Sequence, residues 1–192
     1  EAFHVTEFGW CIIALRDADA PPGPVAGEYD RALADAGRIA EAIEVLRANI
    51  EQSPDHFGYR FRLGRHLYDT GRLLDAVDSF EQALRIRDDD PRPAIMIGNA
   101  FSELEWFDEA IDAYRQTAEI AARIKDRQAL ASAEFNTGNT HYRLGRWDEA
   151  IAAYRAALRA DPDHAGAAQW LGEAKAAAES AAAPSPAEGG DA

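Results

Sequence analysis

Apolar and polar positions along this chain follow two regimes, separated by Pro21-Pro22-Gly23-Pro24. Before that block, Phe8-Gly9-Trp10-Cys11-Ile12-Ile13-Ala14-Leu15 is a short apolar run whose length fits a strand or a buried helical turn equally well. The prolines prevent regular helix or sheet and mark a linker. After it, apolar residues recur at helical spacing, and four short segments line up: Gly37 to Ile43, Gly71 to Val77, Glu105 to Ile111 and Gly145 to Ile151. Their shared alanines, Ala42, Ala76, Ala110 and Ala150, lie 34, 34 and 40 residues apart. A period of about 34 residues predicts a stacked array of helix–turn–helix units.

Each recurring residue type has a packing reason. Gly64, Gly98 and Gly138 fall mid-way along a first helix, where a small residue lets two backbones approach. Leu67, Phe101 and His141 follow three places later. Four places after each alanine stands a large residue, Leu46, Phe80, Tyr114 or Tyr154, and three further on a small one, Ala83, Thr117 or Ala157, with Asn49 departing in the first unit. Gly37, Gly71 and Gly145 suit a left-handed position ending the first helix, and Pro54 and Pro162 stop the second.

Together these positions resemble the tetratricopeptide repeat (TPR) family, over about three quarters of the chain. The resemblance implies an all-α fold, a right-handed α-solenoid of about four TPR repeats with a C-terminal capping helix. The expected division is 1–24 non-repeat segment and linker, 25–56 a degenerate first repeat, 57–90 the second, 91–130 the third, 131–164 the fourth, 165–182 a capping helix and 183–192 a disordered tail. Asp30 occupies the small position of the first repeat, so that repeat is expected to pack loosely or to need residues 1–20 as a cover. The longer third spacing predicts about one extra turn on each helix flanking Asp126.

Composition narrows the function. There are 34 acidic against 20 basic residues, a net charge of −14, which argues against sequence-independent nucleic-acid binding and against anionic membranes. Cys11 is the single cysteine, excluding an internal disulfide and any multi-cysteine metal site. His4, His56, His66, His141 and His164 show no one-turn metal spacing, and Asp88-Asp89-Asp90 and Asp161 to Asp163 sit where helix N-termini are expected, as capping groups. No phosphate-cradling glycine loop or nucleophile elbow is present, so no catalysis, cofactor or metal is expected. The first residue, Glu1, is not methionine, which points to processing or trimming, and the compartment stays open between cytoplasm and periplasm.

What the resemblance implies for function is a protein–protein interaction module whose first helices line a concave groove for an extended peptide or partner domain. By analogy the groove residues are Arg31, Phe61, Arg62, Arg65, Tyr68, Ile95, Asn99, Phe135, Asn139 and Tyr142, with Ser102 in the same register and Asn136 at the edge. Phe61, Ile95 and Phe135 would hold apolar side chains, Asn99 and Asn139 would hydrogen-bond a peptide backbone, and the arginines would pair with an acidic or C-terminal carboxylate group. Phe61 and Arg65 break the lysine–asparagine pattern of family members that clamp chaperone C-termini. The alternatives are a self-assembling scaffold element, or the regulatory C-terminal repeats of a larger enzyme.

Overall fold

The computed structural model describes residues 26–182; the apolar run, the linker and the expected tail lie outside them. The described residues are helical, and they divide into two compact units at Asp88–Asp89.

The first unit contains α1 (Ala26–Asp35), α2 (Ile39–Gln52), α3 (Phe57–Asp69) and α4 (Leu73–Ile86), each packed on the next. The second contains α5 (Pro91–Glu103), α6 (Phe107–Ile124), α7 (Arg127–Arg143), α8 (Trp147–Ala160) and α9 (Ala165–Ala182). Here too successive helices pack together, and α5 also touches α7, as α7 touches α9. The first helices of adjacent repeats therefore lie side by side within this unit.

Turns follow the sequence closely. The amide of Arg38 donates to the Leu33 carbonyl at 2.8 Å and that of Gly37 to Ala34 at 2.9 Å, closing α1 with the paired bonds of a Schellman cap. Gly71 and Gly145 close α3 and α7 in the same way, and the three glycines have φ of 75°, 75° and 69°. At the end of α5 the equivalent residue is Glu105, and at the end of α6 it is Lys125, both at φ 61° without being glycine. Among the described residues, side chains cap the N-termini of α3, α5, α7 and α9. Asp90 accepts from the Arg92 amide at 3.1 Å and Asp126 from Ala129 at 2.9 Å. His56 Nδ1 accepts from Tyr59 at 3.2 Å and His164 Nδ1 from Ala167 at 3.1 Å. Asp161 instead accepts from the amide of Asp163 in the turn before α9.

In the core of each unit an aromatic ring lies on a glycine of the preceding helix. A Cβ added to Gly64 would meet the Phe80 ring at 2.6 Å, one at Gly98 the Tyr114 ring at 2.5 Å, and one at Gly138 the Tyr154 ring at 2.6 Å. Phe80 and Tyr154 are fully buried and Tyr114 nearly so, each worth about 1.5–3 kcal/mol of apolar burial. In the first repeat the equivalent positions, again 16 residues apart, hold Asp30 in place of the glycine and Leu46 in place of the ring, both completely buried. Among the described residues of the first repeat, Tyr29, Leu33, Ala42 and Val45 form a buried cluster; the alternative cover, residues 1–20, lies outside the described residues. Trp170 and Leu171 of α9 pack against Ala150, Tyr154 and Ala174 and close the last repeat.

The added length of the third spacing falls on α6 and α7. They contain 18 and 17 residues, where α4 and α8 have 14 and α3 and α5 have 13. Only Lys125 and Asp126 connect them.

Candidate functional site

In the first unit the faces in question belong to α1 and α3. Arg62 does not project freely: its Nε donates to Asp30 Oδ2 at 2.8 Å and its Nη2 to Oδ1 at 3.2 Å, a two-pronged pair in which the carboxylate is inaccessible and the guanidinium only 18% exposed. His66 approaches the same carboxylate at 4.0 Å, with neither ring nitrogen hydrogen-bonded. Burial lowers the His66 pKa, partly opposed by Asp30 and Asp69 and assisted by Arg65 and Arg62. Arg62 thus neutralises the acid that repeat one carries in place of glycine. Arg31 and Arg65, the residues after Asp30 and Gly64, are exposed, and among the described residues neither forms an ion pair. Phe61 is half-buried, stacked on Phe57 at 5.8 Å and tilted against Phe80 at 5.7 Å; Tyr68 is half-buried as well.

In the second unit the faces belong to α5 and α7. Tyr114 donates its hydroxyl to Asn99 Oδ1 at 2.8 Å, and Tyr154 donates to Asn139 Oδ1 at 2.9 Å. Burial, with a smaller contribution from Tyr142, pushes the Tyr154 pKa up to about 12, so this hydroxyl keeps its proton to donate. Asn136 Nδ2 also reaches Asn99 Oδ1 at 3.3 Å, tying α7 to α5. The carbonyl ends of Asn99 and Asn139 are therefore occupied from inside. On the amide side Asn99 Nδ2 meets only the weak acceptor Met96 Sδ, at 3.9 Å, and Asn139 Nδ2 has no acceptor among the described residues. Ile95 is half-buried. Phe135 lies against His164 at 4.7 Å and Tyr154 at 5.9 Å, and Tyr142 between Trp147 and Trp170 at 4.9 and 5.0 Å. Arg143, absent from the expected set, joins the two helices by donating to the Ser102 carbonyl at 3.0 Å and its hydroxyl at 3.1 Å.

The residue after each small position follows its partner 15 residues on. Asparagine stands where the ring carries a hydroxyl, at Asn99 with Tyr114 and Asn139 with Tyr154. Arginine stands where it does not, at Arg31 with Leu46 and Arg65 with Phe80. Core packing thus sets what each first helix presents.

Two family models, both described as tetratricopeptide repeat, match residues 30–91 and 92–163. The chain belongs to the tetratricopeptide repeat family. Solved structures agree on the fold. A MamA structure from Desulfovibrio magneticus RS-1 superposes with a TM-score of 0.67 at 20% identity, covering 84% of this chain and 92% of that one. YrrB, described as a TPR protein with an unusual peptide-binding site, gives 0.64 at 20% identity over 88% and 84%. The first TPR of Spaghetti (RPAP3), bound to the HSP90 peptide SRMEEVD, gives 0.55 at 18% identity over 62% and 90%. No curated protein matches the chain significantly. Among the described residues no helix is long and apolar enough to cross a membrane, and no cluster of histidine, cysteine and carboxylate side chains has the makings of a metal site.

Proposed function

We propose that this TPR chain is a non-catalytic interaction module that binds an extended segment of a partner protein along its first helices. The observation that carries the reading is the arrangement of Asn99 and Asn139, each with its carbonyl end anchored by a tyrosine hydroxyl and its amide end left to donate. An anchored side chain loses little entropy on binding, so the two amides are preorganised donors for peptide carbonyls. Ile95 supplies a half-buried apolar contact beside Asn99. In the first unit, exposed Arg31 and Arg65 suit an acidic side chain or a terminal carboxylate, while Arg62 is withdrawn from that role by Asp30. Two structurally similar proteins, YrrB and the RPAP3 repeat, carry peptide binding in their descriptions, which favours the same use of this fold.

The test uses a peptide selected from a displayed library against the full chain. Asn139→Asp keeps an acceptor for Tyr154 and puts a negatively charged acceptor oxygen where the amide donor was. The expected result is at least about a tenfold loss of affinity, since the variant loses a hydrogen bond worth about 1 kcal/mol and also turns a charged acceptor towards the peptide carbonyl; Tm is measured alongside to verify that the variant is folded. Arg65→Ala tests the face of the first unit, and Asn99→Ala that of the second. Undiminished affinity in well-folded variants sinks the assignment.

A further inference from the structure

The turn joining α5 to α6 departs from its counterparts, and the departures fall in one place. After α1, α3 and α7 the chain reads Gly37-Arg38, Gly71-Arg72 and Gly145-Arg146. In the first two turns the arginine pairs with the carboxylate three residues on: Arg38 with Glu41 at 2.5 Å and Arg72 with Asp75 at 2.6 Å. After α5 the same two positions hold Glu105 and Trp106. The acid three residues on, Glu109, is retained but has lost its guanidinium, and it forms no ion pair or hydrogen bond among the described residues.

An indole stands where the arginine would be. Trp106 stacks on Phe101 at 5.8 Å yet remains 45% exposed, one of three exposed large apolar residues among those described. With Glu105, Phe107, Asp108, Glu109 and Leu144 it lines an open cavity of about 410 Å³. Two of its carboxylates already meet arginines of the next repeat, Glu105 with Arg143 at 3.5 Å and Asp108 with Arg146 at 3.4 Å. Arg143 also lies 4.6 Å from the Phe107 ring centre, so the cavity's edge displays the pairing its interior lacks, a guanidinium between an aromatic face and a carboxylate.

We propose that this cavity receives an arginine side chain from a basic, extended segment of a partner protein, which supplies in trans the guanidinium that the other turns carry in cis. Trp106 provides the stacking face and Glu109 the charge-assisted acceptor. A net charge of −14 selects a basic partner and disfavours a second copy of the same chain. The site lies on a turn and does not depend on peptide binding by the first helices.

The experiment is fluorescence polarisation of a labelled peptide of alternating glycine and arginine against the full chain, with the lysine counterpart as control. Wild type is expected to bind saturably and to prefer arginine over lysine by about fivefold, because only the planar guanidinium both stacks and forks. Trp106→Arg restores the residue of the other turns and fills the cavity from within. It is expected to abolish about nine-tenths or more of the affinity without lowering Tm. Glu109→Gln, at an exposed position, is expected to weaken binding several-fold. Equal affinity of wild type and Trp106→Arg overturns the proposal, as does binding of both peptides alike, which is attraction to the overall negative charge. Self-association of wild type in sedimentation velocity that disappears in Trp106→Arg identifies the occupant as a second copy and also overturns it.

Discussion

Tyr114 lies so close across Gly98 that a single added methyl group would stand 2.5 Å from its Cε1. That distance is well inside van der Waals contact, and the ring is closed in by the core. Gly98→Ala is therefore expected to destabilise the chain by about 1–3 kcal/mol, the usual cost of overpacking. The first repeat carries a bulkier Asp30 at the glycine position and a smaller Leu46 at the ring position, both fully buried. Combining Gly98→Ala with Tyr114→Leu should cost less than the sum of the single changes, because each relieves the other's misfit. Urea titrations of the four proteins in a double-mutant cycle measure that coupling.

Asp30 and Arg62 form a pair whose carboxylate has no access to water. Removing only the guanidinium strands a buried charge, so Arg62→Ala is expected to cost about 3–5 kcal/mol. Asp30→Gly in the same protein removes the stranded charge and returns the residue used in the other repeats. Thermal unfolding should show much of the loss regained in the double variant, and no recovery would contradict the pairing.

Two histidines make stability depend on acidity. Burial holds His66 and His141 below the usual 6.5; at His141, Glu149 and Asp108 oppose the shift and Arg146 adds to it. The unfolded chain, with the higher pKa, takes up protons first. The stabilisation is therefore full above 6.5 and is lost as pH falls below it towards the lowered folded values. His141→Leu, which places the residue type of Leu67 at the equivalent position, should flatten part of that decline. Denaturant midpoints measured from neutral to mildly acidic pH compare the slopes.

The tyrosine hydroxyls can be tested apart from their rings. Tyr154→Phe keeps the apolar contact with Gly138, as Phe80 does at Gly64, and releases Asn139 Oδ1. One hydrogen bond lost should cost about 1 kcal/mol of stability. If Asn139 is a preorganised donor, peptide affinity should fall too, through a faster dissociation rate seen by surface plasmon resonance.

The repeat was legible because its cues are local. Gly98 and Tyr114 sit 16 positions apart in the same spacing as Gly64 with Phe80 and Gly138 with Tyr154, and each residue type carries its packing reason. The side chains of the candidate faces were less legible because their partners are set by neighbouring helices. Asn99 reads alone as a free amide; only the hydroxyl of Tyr114 shows that half of it is already engaged. Arg62 reads as a surface cation until Asp30, 32 positions earlier, is seen to be buried beneath it. The signal available was the placement of an acid where the other repeats put glycine, since a buried carboxylate demands a cation nearby. His56 and His164 were missed as helix caps because imidazole is an uncommon choice there; their common place one residue before a first helix was the clue.

The lengthening of α6 and α7 bears on how such a chain can change over time. Both additions are four residues, a little over one turn, and both lie at the same end of the helix pair. A Cβ added to Gly138, beyond them, would stand 2.6 Å from the Tyr154 ring, much as one added to Gly98, before them, would stand 2.5 Å from Tyr114. Growth by matched turns extends a hairpin without shifting the phase of the repeats that follow. The tip around Lys125 and Asp126 is thus a place where insertions and deletions are tolerated in pairs, whereas an unmatched insertion of two residues in either helix would rotate every later contact out of register.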